Sequence, residues 1–332
     1  MQLTLFDAIP DELAFKVMKT AVDNGSNCWS SATFYGPPQD PYANIKILRR
    51  FFDKYPELKD KVVLVLKGGL QITANGQEAR GSDVGYLREK LKTFKDILGD
   101  KTIDVFSLAR LPDTPVEDVF KGLVSLQKEG WFNAIAGSEM SAASLEKASK
   151  ITPIALNEIE VSFMSYEASI RDAIAWSDAN KVPFFAYSPL GRGLLSRRFK
   201  TAADAVGAAA SYSPWLQGDA FNANIKLVDL VEEIAANKGV KVGELALAWV
   251  VGISDYSIPI PGSSKPARVV ENINAANIKL TAEEFEAIQK IVDKFEIQGG
   301  RYPEFGIRDL VGFTTFVPGL ECFCKADPEF YR

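Results

Sequence analysis

Short runs of β-branched and aromatic residues alternate with amphipathic stretches of helical period along almost the whole chain. The strand-like runs are NCWSS (27–31), VVLVLK (62–67), IDVFSL (103–108), NAIAG (133–137), IALNEIEVS (154–162), VPFFAYS (182–188) and YSIPIP (256–261). MQLTL (1–5) is a candidate first strand. Strands that alternate with helices build βα units on a parallel sheet. Seven or eight of them, with no second sheet, point to a closed (β/α)8 TIM barrel rather than an open doubly wound sheet.

The helical stretches carry their own start and stop signals. In TPVEDVFKGLVSLQKEG (114–130), Thr114 is the expected cap, Pro115 suits the first helical position, Glu117 completes a capping box and Gly130 marks the exit. Val119, Leu123 and Leu126 form its inward stripe. In SDVGYLREKLKTFKDILGD (82–100), Ser82 is the expected cap, and Val84, Leu87, Leu91, Phe94 and Leu98 make the apolar face.

Two regions break the rhythm. Residues 197–221 are Ala, Ser and Gly-rich and read as an insertion after the seventh strand; long barrel loops serve as lids or substrate walls. The stretch after 296 is aromatic and punctuated by Gly and Pro, so it is expected to pack on the barrel, over its flank or into its pocket.

Composition narrows the function. The chain has 332 residues, 47% of them hydrophobic, enough for a large core. Net charge is −5 with Lys and Arg scattered, which argues against a nucleic-acid stripe or a basic membrane face. The N-terminal stretch lacks a signal-peptide pattern, and no apolar run approaches the ~20 residues of a membrane span, so a cytoplasmic protein is expected. The cysteines Cys28, Cys322 and Cys324 make no disulfide framework, and without any histidine Cys322-x-Cys324 is a poor metal site.

Catalytic groups of such barrels lie where strands run out into βα loops. Tyr35, Lys67, Arg110, Ser138, Glu139, Glu158 and Glu160 all fall there. A phenol ordinarily titrates near ~10, so a tyrosine acting as acid or base needs a cation close by, and Lys67 is the candidate. Position alone equally allows a half-buried loop aromatic and a snorkelling lysine. The string IPIPGSSKPARVVENI (258–273) adds a Gly turn, two hydroxyls, a lysine and an arginine at a helix start, a set suited to a phosphate.

Together GSNCWSSATFYGPP, VLVLKGG, AGSEMSAASLEKA, AYSPLGRGLL and IPIPGSSKPARVVENI resemble the aldo-keto reductase superfamily, and within it the fungal pyridoxal-reductase-like branch. The resemblance implies a (β/α)8 barrel over 1–296 that binds NADP(H), and a C-terminal extension over 297–332 packed on it. It implies Tyr35 as the acid and Lys67 as its partner. Ser138 and Glu158 would hold the nicotinamide carboxamide. Tyr187 would lie beside the ring, with Ser188, Leu190 and Gly191 over the pyrophosphate. Ser263, Ser264, Lys265 and Arg268 would receive the 2′-phosphate, and Glu271 and Asn272 the adenine. The implied activity is NADPH-dependent reduction of an aldehyde, ketone or conjugated small molecule by a monomer or weak oligomer.

The chain also departs from the family pattern. Ser30 stands where an aspartate is usual and Ala109 where a histidine is usual, and MQLTLF is expected to align with the end of the family's first strand and its following loop. Deprived of that aspartate, a buried Lys67 is expected to have a lowered pKa. These departures keep an alternative open: a barrel that serves as an NADP(H)-binding sensor or partner, or as a non-redox catalyst.

Overall fold

A strand residue's parity decides which layer it serves, because successive side chains point to opposite faces. A computed structural model describes residues 3–4, 8–73, 76–205 and 213–302. Seven parallel strands form one curled sheet in the order β1 (Cys28–Ala32), β2 (Val63–Gly68), β5 (Val105–Leu108), β6 (Ala134–Ser138), β7 (Asn157–Glu160), β8 (Phe184–Tyr187) and β9 (Ser257–Pro259). Two further strands, β3 (Leu70–Thr73) and β4 (Gly76–Ala79), pair as an antiparallel hairpin between β2 and the next helix. The architecture is that of a (β/α)8 barrel.

The outward parity set packs on helices. Trp29, Leu64, Leu66, Phe106, Leu108 and Ile135 join one apolar cluster with α1 (Asp11–Asp23), α2 (Ala43–Lys54), α3 (Val84–Leu98) and α4 (Val116–Lys128). Ile159, Phe184 and Ala186 join a second with α6 (Ala168–Asn180), α7 (Gly218–Lys238), α8 (Val242–Gly252) and α10 (Ala282–Lys294). Two more helices, α5 (Ala142–Ser149) and α9 (Pro266–Ala275), complete the outer layer, with α9 packed on α1. Each fully buried Phe, Leu or Ile in these clusters contributes about 1.5–3 kcal/mol. The inward set, Val65, Val105, Ala136, Leu156 and Phe185, fills the lumen. Above these the inward positions turn polar.

Several local expectations shift. The cap of α3 is Asp83, whose carboxylate accepts from the Tyr86 N–H at 2.9 Å, because the helix starts at Val84 and Ser82 lies one residue too early. At α4 the cap is Pro115: its carbonyl takes the first helical bond from the Val119 N–H, and Thr114 does not cap. Gly130 does leave the helix at φ 83°. Leu3 and Thr4 form a bend rather than a strand, and the rest of 1–5 lies outside the described residues. The expected insertion at 197–221 ends sooner, since Gly218–Phe221 already form the first turn of α7. The β3–β4 hairpin is an addition to the strands that the hydrophobic pattern predicts. No helix among the described residues is long and apolar enough to cross a membrane. Cys322 and Cys324 lie outside the described residues.

Candidate active site

Parity brings Ser30 of β1, Lys67 of β2 and Glu158 of β7 to the lumen, and there they meet. The Lys67 ammonium donates to Glu158 Oε1 at 2.7 Å and to Ser30 Oγ at 2.6 Å. Ser30 in turn donates to Glu158 Oε2 at 2.6 Å, so both carboxylate oxygens are engaged. The charged pair is sealed, with side chains only 5% and 6% exposed. Glu158 reaches Lys67 from a strand three places away in the sheet, across the barrel. Burial alone would lower the lysine's pKa, but the Glu158 carboxylate and the neighbouring Tyr35 outweigh it and hold the pKa above the ordinary lysine value. The expected fall does not occur, because the missing aspartate's charge is supplied from elsewhere.

Tyr35 stands over this pair. The Lys67 ammonium lies 5.4 Å from its ring centroid. The tyrosine follows β1 through a tight turn in which its N–H bonds Ala32 O and the Thr33 N–H bonds Lys67 O. Gly36 closes that turn because a Cβ there would sit 2.0 Å from Asp40 O. From below, Thr4 Oγ1 donates to Tyr35 O at 2.5 Å. Asn44 of α2 ties the parts together, accepting from the Leu3 N–H and donating to Ser31 Oγ. Ala109, at the end of β5, is buried and contributes no polar side chain; its N–H bonds Gly68 O.

A second polar cluster roofs the barrel mouth. Glu139, Glu160 and Tyr187 project from the ends of β6, β7 and β8, and Arg301 of the C-terminal stretch lies among them. Its guanidinium donates to both oxygens of Glu139 at 3.1 and 3.2 Å, to Glu160 Oε2 at 3.1 Å and to Tyr187 Oη at 3.3 Å. Arg192 donates to the same Glu160 oxygen at 3.0 Å and to Arg301 O at 2.7 Å. The Arg192 guanidinium stacks 4.4 Å from the Tyr302 ring, whose hydroxyl is 3.1 Å from that of Tyr187. Burial and the neighbouring acids push the Tyr187 phenol well above its usual pKa. Glu160 Oε1 is buried and has no hydrogen-bond partner among the described residues.

Two of these loops carry non-glycine residues in the left-handed region: Glu139 at φ 51° after β6, and Ser188 at 49° and Arg192 at 54° after β8. Strained backbone of this kind gathers at functional sites. Ser138 is buried at the end of β6, Leu190 is half-buried, and Gly191, at φ 56°, is packed against Met164. Arg192, Arg301 and Tyr302 were missed by sequence reasoning. Arg192 sits in the quoted string AYSPLGRGLL, whereas nothing near Arg301 signals a partner.

The turn after β9 stands apart at the protein surface. Ser263 Oγ accepts from the Lys265 N–H at 3.0 Å and shapes the start of α9. Ser264, Lys265 and Arg268 are exposed, and among the described residues neither cation pairs with a carboxylate. Glu271 is held by Lys241 at 2.5 Å, and Asn272 is half-buried beside it. Gly262 has an ordinary φ and open space around it, so the turn does not demand glycine.

The model of the aldo/keto reductase family matches residues 1–293. The chain belongs to the aldo/keto reductase family. A probable pyridoxal reductase of Schizosaccharomyces pombe is 33% identical over 301 residues, 88% of this chain and 89% of that one. An aldo-keto reductase of Gibberella moniliformis is 32% identical over 90% of both chains. Among solved structures, a glycerol dehydrogenase of Gluconobacter oxydans superposes with a TM-score of 0.73 at 21% identity, covering 95% of this chain and 90% of that one. The fold is therefore the aldo/keto reductase barrel, and the protein is an oxidoreductase of that type.

The reductase barrel explains why the polar groups collect at one end. Inward positions low on the strands are apolar, and those at the C-terminal ends carry Lys67, Ser138, Glu158, Glu160 and Tyr187. The site is built where the βα loops begin.

Proposed function

We propose that the protein is an NADP(H)-dependent reductase of a small carbonyl compound, with Tyr35 as proton donor and Lys67 as its cationic partner. The observation that carries this reading is the Tyr35 ring set 5.4 Å from a buried, charge-compensated lysine at the strand ends. When bound, NADPH supplies the hydride. Tyr35 gives its phenolic proton to the substrate oxygen, and the phenolate left behind faces the Lys67 ammonium. Aldehydes resembling pyridoxal are the first substrates to try, given relatives named as pyridoxal reductases.

The residues suit the nucleotide best at its phosphate end. Lys265 and Arg268, exposed and without carboxylate partners among the described residues, match a 2′-phosphate, and Ser263 and Ser264 supply hydroxyls beside them. Glu271 and Asn272 would face the adenine. At the other end Tyr187 would flank the nicotinamide, Ser138 and Glu158 its carboxamide, and Ser188, Leu190 and Gly191 the pyrophosphate. There Arg301 and Tyr302 lie against Tyr187. That cover favours a second reading, an NADP(H)-binding protein without the reaction.

Fluorescence titration with NADPH, followed by a screen of aldehydes including pyridoxal, separates the readings. Binding together with NADPH oxidation that Tyr35→Phe abolishes is the expected result. Binding without oxidation of any aldehyde selects the second reading. Turnover that survives Tyr35→Phe overturns the assignment of the acid.

A further inference from the structure

We propose that Glu158 is a positioning residue that acts through Lys67: reaching across the lumen, its carboxylate is the counter-ion that keeps the lysine charged beside Tyr35, with Ser30 as the hydroxyl bridge. The inference rests on the reading of Tyr35 as proton donor.

The geometry carries it in three steps. Lys67 is sealed in the lumen, where an isolated ammonium is costly unless paired. Its registered neighbours on β1 and β5, Ala32 and Ser107, bring no charge. Among the described residues, the groups that face it are Tyr35 from the loop after β1, Ser30 from β1 and Glu158 from β7, and of these Glu158 alone is a carboxylate.

Next, both Glu158 oxygens are spent on this one cation and its bridge: Oε1 takes Lys67 and Oε2 takes Ser30. A carboxylate fixed at two points by short bonds has its position set by the triad. Finally, serine at position 30 makes room for the arrangement. Its short side chain donates to Glu158 while accepting from Lys67, which a carboxylate at position 30 could not do beside a second carboxylate. Ser30 and Glu158 thus work as a matched pair, with the charge on the far strand.

The test moves the charge back. Three variants are compared with the wild type: Glu158→Gln, Ser30→Asp with Glu158→Gln, and Ser30→Asn with Glu158→Gln as the uncharged control of the same shape. Folding is verified by circular dichroism, and the Lys67 side chain is titrated by NMR of carbon-labelled lysine, its signal assigned by its loss in Lys67→Met. Turnover of pyridoxal and nitrobenzaldehyde is measured across pH.

Glu158→Gln is expected to lower the pKa of Lys67, to move the alkaline limb of the kcat profile to lower pH, and to cut kcat about tenfold or more. The KM for the aldehyde should change little. Ser30→Asp in the Glu158→Gln background returns both the titration and the limb, and Ser30→Asn does not. A Lys67 titration unchanged in Glu158→Gln, or not restored in a folded Asp/Gln double variant, overturns the proposal. Because the titration is read without turnover, a wild type that reduces no aldehyde defeats the reductase reading and leaves the counter-ion assignment to be judged on Lys67 alone.

Discussion

Arg301 donates to Glu160 across 141 residues of sequence, joining the start of the C-terminal stretch to the end of a barrel strand. The guanidinium is 9% exposed and the carboxylate fully buried. This contact turns residues 295–302 into a strap over the mouth, fastened on Glu139, Glu160 and Glu167.

Cutting the strap leaves buried acids short of a cation. Arg301→Ala is expected to destabilise the fold by about 3–5 kcal/mol, the usual cost of removing one partner of a buried pair. Arg301→Lys should recover little, because a single ammonium cannot reproduce the planar fork that spans three carboxylates. Urea unfolding of the three proteins checks both statements; stability within about 1 kcal/mol of wild type in Arg301→Ala contradicts the strap.

The Lys67–Glu158 pair should behave as a unit. Glu158→Leu alone strands a buried ammonium and is expected to cost about 3–5 kcal/mol, whereas Lys67→Met combined with Glu158→Leu should recover most of that loss. A double-mutant cycle by denaturant unfolding gives the coupling, and additive single losses would show that the two charges do not compensate each other.

A pH dependence follows from the raised pKa of Lys67. The folded state holds this proton more tightly than the unfolded chain, so the stabilisation is complete below the unfolded lysine value, near ~10.4, and is lost as pH rises through the folded one. Since Glu158→Gln lowers the Lys67 pKa, the stability gap between wild type and Glu158→Gln should be widest at neutral pH and narrow as pH rises, from the lowered Lys67 value of the variant up through the raised one of the wild type. Denaturation midpoints measured across that range test the sign.

Cys28 is the first residue of β1, half-buried, and burial together with the nearby Asp104 pushes its thiol up to about 11. The thiolate is the reactive form. In the folded protein at mildly alkaline pH, iodoacetamide should therefore leave Cys28 largely unlabelled, and added urea should expose it to rapid labelling. Peptide mass spectrometry reads the site directly; fast labelling of Cys28 in the native state would contradict its burial.

Arg268 and Lys265 should discriminate between cofactors. Loss of a charge-assisted contact to a phosphate is worth roughly 1.5–3 kcal/mol, so Arg268→Ala is expected to weaken NADPH binding by about 10–100-fold. NADH binding should barely change. Equal weakening of both nucleotides would place Arg268 away from the 2′-phosphate.

The sequence by itself determined the layers of this protein. Two-residue alternation in NEIE put Glu158 and Glu160 on one face and Ile159 on the other, and the same rule sent Lys67 inward and Leu66 outward. Helix stripes, strand runs and the placement of Tyr35 and Lys67 at strand ends were legible for that reason: they follow from local periodicity. Cap positions slipped by a residue at Ser82 and Thr114, where neighbouring polar or proline residues compete for one role. Only the tertiary structure decided the partners. That Ser30 bridges Lys67 to Glu158, and that Arg301 returns to Glu139 and Glu160, depends on how the sheet curls and where the chain comes back. Buried charge must find a counter-charge in space, and the nearest one in space need not be near in sequence.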